Sequence, residues 1–113
     1  MPHKTFLAAA GNGIARAENI NAEWKVEYLL ADQDVLCLAA DPLNTHVACA
    51  GTRGNGVLRS TDGGRTWTPA GLNGQVVKSL AVSKAESGAV YAGVKPPALF
   101  VSRDGGATWK EIE

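Results

Sequence analysis

The octapeptide Ser60-Thr61-Asp62-Gly63-Gly64-Arg65-Thr66-Trp67 returns 42 residues later as Ser102-Arg103-Asp104-Gly105-Gly106-Ala107-Thr108-Trp109, with six of eight positions identical. Self-similarity at a fixed period commits a chain to repeating one supersecondary unit, and this limits the fold more than composition does. The likeness extends upstream: Val57-Leu58-Arg59 matches Leu99-Phe100-Val101 in character, and Val47–Gly51 matches Ala89–Gly93. A decayed copy lies earlier, at an offset of 43, where Gly11–Arg16 aligns with Gly54–Arg59 and Trp24 falls on Trp67. There Asn19 replaces Asp62 and Asn21 replaces Gly64.

Each unit reads as four short strands, which in the middle copy are Val35–Ala40, His46–Thr52, Gly56–Ser60 and Thr66–Pro69. The runs are short and rich in Val, Leu and Ala. Turn residues separate them, and no segment sustains a helical apolar period. A four-stranded unit of roughly 40–45 residues is the size of one β-propeller blade. The expected architecture is all-β: a single partial β-propeller over residues 1–113, of about two and three-quarter four-stranded antiparallel blades. Blade 1 covers about 4–30 and lacks its first strand, blade 2 about 34–71, and blade 3 about 75–113. Fewer than four blades do not make an ordinary ring, so the propeller is either incomplete or completed by oligomerisation. Self-association, or packing against further blades, is the first partner expectation.

Composition narrows the function. With 113 residues, and eleven basic side chains balancing eleven acidic ones, the chain is one domain without the basic stripe that nucleic acid or anionic membranes require. No apolar run approaches the roughly 20 residues of a membrane span. Thr5–Ala10 is too short an apolar stretch for a secretory leader, so a cytoplasmic protein is the default. Cys37 and Cys49 are the only cysteines, which excludes a disulfide-built scaffold. If Ala40 faced His46 across the first hairpin, Cys37 would stand opposite Cys49, and two buried thiols are expected there rather than a bond.

Ser-x-Asp-x-Gly-x-Thr-Trp resembles the Asp-box, or BNR repeat, of sialidase-like β-propellers. The match is complete at Ser60, Asp62, Gly64, Thr66 and Trp67, and again at Ser102, Asp104, Gly106, Thr108 and Trp109. Its residue types have a physical logic of their own. A short carboxylate accepts hydrogen bonds from its own turn, a Gly-Gly pair supplies positive φ, and Thr-Trp re-enters a strand with a large apolar ring. The resemblance implies a folding element on the turn between a blade's third and fourth strands, remote from any catalytic face. One carboxylate per turn is too few for a calcium cage, so no metal is expected at the boxes.

Catalytic groups are not evident. The resemblance would require an arginine cluster, a tyrosine activated by a glutamate, and an acid. Tyr28 reads as an outer-strand residue, while Tyr91, Cys49 and Phe6 form one equivalence class that reads as a packing position. Arg16 and Arg59 occupy equivalent third-strand sites and read as blade residues. His3 and His46 begin equivalent strands without the partners a zinc site needs. Asp32 and Asp34 are the nearest approach to a glycosidase carboxylate pair, and they read as solvated loop groups. Successive hairpins of a meander alternate ends, so the loops opposite the boxes gather Asn12, Asp32, Asp34, Arg53, Asn55, Asn73, Gln75 and Lys95. Of these, Arg53, Asn55, Lys95, Asp32 and Asp34 are the candidate ligand residues. The expected function is a non-catalytic scaffold or binding module for a glycan or protein ligand, with no cofactor. One alternative is the N-terminal portion of a sialidase-like glycoside hydrolase whose catalytic residues lie elsewhere. A second is an assembly or chaperone factor with a protein partner.

Overall fold

The computed structural model describes residues 4–86 and 88–113, all in strands and turns, with no helix among them. His3 lies outside the described residues. The strands are β1 (Lys4–Ala10), β2 (Gly13–Ile20), β3 (Glu23–Leu29), β4 (Val35–Ala40), β5 (Ala48–Thr52), β6 (Val57–Ser60), β7 (Thr68–Pro69), β8 (Val76–Val82), β9 (Val90–Lys95), β10 (Ala98–Ser102) and β11 (Lys110–Ile112). They form three antiparallel meanders, β1-β2-β3, β4-β5-β6-β7 and β8-β9-β10-β11. The sheets stack face to face in a slab of 48 × 32 × 17 Å.

Each inter-sheet space is a core of its own. Ile14 of the first sheet packs with Val35, Ala50 and Leu58 of the second, flanked by Leu7, Leu30, Leu38 and Trp67. Cys49 and Val57 of the second sheet pack with Val77, Ala92 and Val94 of the third, flanked by Leu80, Phe100 and Trp109. The middle sheet is therefore covered on both faces, and every residue of β5 is buried.

The register corrects two expectations. β5 begins at Ala48, so Cys37 faces Gly51 and Cys49 faces Ala39; the two thiols are free and do not oppose each other. Local turns explain the late start. Asp41 Oδ1 accepts from Leu43 N at 2.9 Å, Asn44 Oδ1 accepts from His46 N at 3.3 Å, and Val47 N donates to Asn44 O at 3.1 Å. These bonds hold Thr45 and His46 in a turn, and the hairpin closes only at Val47, whose carbonyl accepts from Asp41 N at 3.1 Å. Cys49 is buried beside Gly105, and burial pushes its thiol up to about 11. The second correction concerns Phe6. Leu7 pairs with Arg16 as Cys49 pairs with Arg59, and as Tyr91 pairs with Val101, so Leu7 is the counterpart of Cys49 and Tyr91. Phe6 points to the other face.

The two complete boxes have nearly identical geometry. Asp62 Oδ1 accepts from Arg65 N and Thr66 N, each at 3.0 Å, and Oδ2 accepts from the Thr66 hydroxyl at 2.5 Å. Asp104 repeats this with Ala107 N at 3.1 Å, Thr108 N at 2.9 Å and the Thr108 hydroxyl at 2.5 Å. Ser60 and Ser102 each donate to the carboxylate and accept from Gly64 N or Gly106 N at 2.8 Å. The indoles close the turns, with Trp67 Nε1 donating to Gly64 O at 2.9 Å and Trp109 Nε1 to Gly106 O at 3.1 Å. With Thr66 N taken by the carboxylate, β7 starts only at Thr68, two residues later than the sequence suggests. Hydrogen bonds from Thr66, and for Asp104 from Thr108 and then Ser102, hold both carboxyls well below the usual carboxylate range.

Each box is also a contact between sheets. Arg16 Nε donates to Gly63 O at 3.1 Å, and Arg59 Nε donates to Gly105 O at 2.9 Å. Around the first contact, the buried Arg16 and Glu18 pair at 3.3 Å, and Arg65 Nη2 reaches Glu18 Oε2 at 2.9 Å. The second glycine of each box lies under the neighbouring sheet. A Cβ on Gly64 would stand 2.7 Å from Leu7 Cδ2, and one on Gly106 would stand 2.3 Å from Cys49 Sγ. Both glycines hold positive φ, 91° and 92°.

Two outcomes follow from this geometry. Gly64→Ala and Gly106→Ala combine a left-handed backbone cost with overpacking, about 2–4 kcal/mol together. Gly105→Ala carries the backbone cost with only an ordinary contact to Arg59 at 3.4 Å. Urea unfolding should rank Gly106→Ala as clearly more destabilising than Gly105→Ala. The depressed box carboxyls contribute stability that is complete above the unfolded carboxylate pKa of about 3.9 and is lost as pH falls through that value toward the folded one. The thermal midpoint should therefore drop on acidification below about pH 4, and a doubly substituted Asp62→Asn, Asp104→Asn protein should show a flatter profile across the same window.

Candidate functional site

At the end opposite the boxes, the β3–β4 connection meets the β5–β6 turn. Asp34 holds φ of 51° and its carbonyl accepts from Arg53 N at 3.0 Å, while Arg53 Nε stands 3.8 Å from Asp34 Oδ2. The buried Thr52 shapes the turn: its hydroxyl donates to Gly56 O and accepts from Asn55 N, both at 2.8 Å. Asn55 Nδ2 then crosses to Gln33 Oε1 at 2.8 Å. Asn12 O accepts from Val35 N at 2.9 Å, which fixes where β4 leaves the first sheet's loop.

The structure thus brings Asp34, Arg53 and Asn55 together, with Asp32 exposed in the same connection. Lys95 closes β9 on the adjoining sheet and precedes a cis peptide to Pro96. The cluster is polar, exposed and bridged by hydrogen bonds. Its one carboxylate–guanidinium contact lies mostly in solvent, so it organises the loop more than it stabilises the fold.

Beside this cluster runs a groove of about 340 Å³ between the first and second sheets, lined by Leu30, Gln33, Asn55, Leu58, Trp67, Pro69 and Asn73. Amide side chains therefore share one concavity with an indole and a proline, an arrangement able to combine directional hydrogen bonds with apolar contact. Sequence reasoning found Asn55 and Asn73 but missed Gln33 and the second role of Trp67, whose indole both closes the box and lines the groove. A second cavity of about 430 Å³ lies at the box end, among Lys4, Phe6, Arg16, His46, Asp62 and Arg65. Among the described residues, no group of three or more His, Cys, Asp or Glu side chains is placed to hold a metal ion.

Comparison with known proteins bears on the repeats and the fold. The BNR/Asp-box repeat model matches residues 58–69 and 100–111. The chain is 33% identical over 82 residues to an oligoxyloglucan-reducing end-specific xyloglucanase of Emericella nidulans, covering 66% of this chain and 10% of that protein. A probable enzyme of the same description from Neosartorya fischeri is 30% identical over 82 residues, with the same coverage. The chain thus spans about a tenth of the length of these relatives. Among solved structures, an ancestral GH74 enzyme superposes with a TM-score of 0.67 at 18% identity, over 95% of this chain and 18% of that one. YCF48 from Cyanidioschyzon merolae gives 0.61 at 24% identity, over 70% and 23% of the two chains. A YCF48 structure with a D1 peptide bound gives 0.63 at 16%, over 89% and 35%. Two matched repeats, three stacked meanders and these structural relatives agree: the chain folds as β-propeller blades, and the second and third of them each carry a BNR/Asp-box repeat.

Proposed function

We propose that the chain is a non-catalytic β-propeller scaffold and binding module, related to glycosyl hydrolases, that takes an oligosaccharide at the loop end. It acts as one partial propeller with blades at about 4–30, 34–71 and 75–113, its open faces satisfied by self-association or further blades. The observation that carries this reading is the groove in which Gln33, Asn55 and Asn73 surround Trp67 and Pro69. Amides beside an indole suit a polyhydroxylated ligand, whose hydroxyls seek directional partners and whose ring carbons seek an apolar face. Asp34, Arg53 and the exposed Asp32 border that loop end, with Lys95 on the next blade. The box carboxylates are already engaged by four hydrogen bonds within their own turns, so they have little capacity left for acid–base work.

Similarity to xyloglucanases supports the glycan class and also motivates a second reading, in which these blades are one portion of a glycoside hydrolase. Peptide binding by a YCF48 relative motivates a third, an assembly factor with a protein partner. Calorimetric titration with a xyloglucan oligosaccharide, followed in the same sample for new reducing ends, separates them. Binding without release of reducing ends is expected, with Asn55→Ala weakening it about 5- to 30-fold through the lost hydrogen bond. New reducing ends would establish the hydrolase reading. Absence of heat with every glycan tested would remove the glycan ligand and leave the protein partner.

A further inference from the structure

We infer that the outer faces of the first and third sheets bind each other across two copies of the chain, closing a head-to-tail pair. This rests on the reading of the sheets as propeller blades. Within the chain the sheets are joined by a repeated contact: Arg16 of the first reaches the box of the second, and Arg59 of the second reaches the box of the third. The third sheet carries Val101 at that position, paired with Tyr91 as Arg59 is paired with Cys49. The first sheet has no box; its β2–β3 turn is Asn21-Ala22, with φ of 54° and 66°. The sheet without the arginine and the sheet without the box are the two whose outer faces are uncovered. Each lacks the polar group that only the other's missing element would have satisfied.

Apolar side chains stand there instead. Cross-strand pairing puts Phe6, Val26, Trp24 and Tyr28 on the outer face of the first sheet, through Phe6 opposite Ala17, Ala17 opposite Val26, and Asn19 opposite Trp24. The Phe6 and Trp24 rings lie 5.6 Å apart, and the four residues are 52–74% exposed. On the outer face of the third sheet, Leu99 and Ile112 pair across β10–β11 and stand exposed, while Val101, paired with the half-buried Tyr91 and with Lys110, is itself buried. Leu99 and Ile112 are 45% and 44% exposed. In the middle sheet the corresponding face, with Cys49 and Val57, is buried by the sheet that follows. A contiguous apolar patch of this kind commonly marks an interaction surface. The three aromatics alone offer on the order of 300 Å² at one contact, and a two-copy ring makes that contact twice, against roughly 800 Å² per partner in a stable complex. Heterologous contacts form rings when the rotation closes. Two copies would stack six blades, within the roughly 4–8 of known propellers.

Sedimentation velocity over a wide concentration range reads the assembly directly. A discrete species of twice the chain mass is expected; a monomer throughout, or an open ladder of larger species, would overturn the proposal. Val26→Asp on one face and Leu99→Asp on the other should each give a monomer with an unchanged far-ultraviolet spectrum. Mixing the two variants is the decisive step, because each retains the face the other has lost. A head-to-tail contact restores a two-chain species in the mixture. A symmetric contact instead leaves one variant dimeric on its own and overturns the assignment. If either variant loses its spectrum, Tyr28→Lys and Ile112→Lys replace the pair, with the same outcomes. No glycan is present in these measurements, so a failed titration and a failed assembly are visible separately.

Discussion

The alignment of the three sheets on one another depends on one donor–acceptor contact made twice, between a guanidinium Nε–H of one sheet and the carbonyl of the first box glycine on the next. The contact needs the carbonyl to point sideways out of its turn. That orientation is fixed by positive φ at both glycines and by the Asp and Ser side chains that clamp the turn from within. The box is therefore more than a turn motif. It converts a local backbone conformation into an inter-sheet attachment, and the flat glycine beside it lets the neighbouring second strand approach to van der Waals distance.

The two attachments are not equivalent. Arg16 sits in a buried charge group with Glu18, and both Glu27 and Arg65 close on the same pair. Removing Arg16 or Glu18 strands the other in a poorly hydrated space, whereas the intact buried pair contributes little net energy. Arg59 has a simpler environment, over Gly105 and beside Cys49. The first junction is thus specified by charge geometry and the second by shape. In both, the apolar cluster supplies most of the attraction and the arginine sets the alignment.

Much of this was legible in the sequence, because the repeat gave strand order, turn positions and box chemistry. Strands Val35–Ala40 and Val57–Ser60 lie within one residue of the expected runs. What the repeat could not reveal was register. An Asx-stabilised double turn over Asp41–Val47 delays β5 and moves Cys37 away from Cys49. A similar one-residue slip exchanged Phe6 and Leu7 between faces, since alternation turns a single offset into a change of side. The role of Arg16 and Arg59 was present as a pattern, an arginine wherever the next copy holds a box, but it becomes readable only once neighbouring sheets are known to touch there. Lys95, the last residue of β9, and the exposed Asp32 of the β3–β4 connection take no part in that pattern, and the groove around Trp67 depends on packing between sheets that no single strand encodes.

The middle sheet, covered on both sides, has a further consequence for how the molecule opens. Its two cores are independent, sharing only the thickness of β4–β7 between them. Stability in such a stack behaves as a chain of nearest-neighbour couplings. An outer sheet can detach by breaking one junction, but exposing β5 demands that both be broken. The amides of Ala48–Thr52 therefore report on the whole molecule, while those of β1 and β11 report only on their own end of the row. Cooperativity here runs inward from the edges, and the most protected strand contains small residues, Ala-Cys-Ala-Gly-Thr, protected by its position between sheets rather than by bulk.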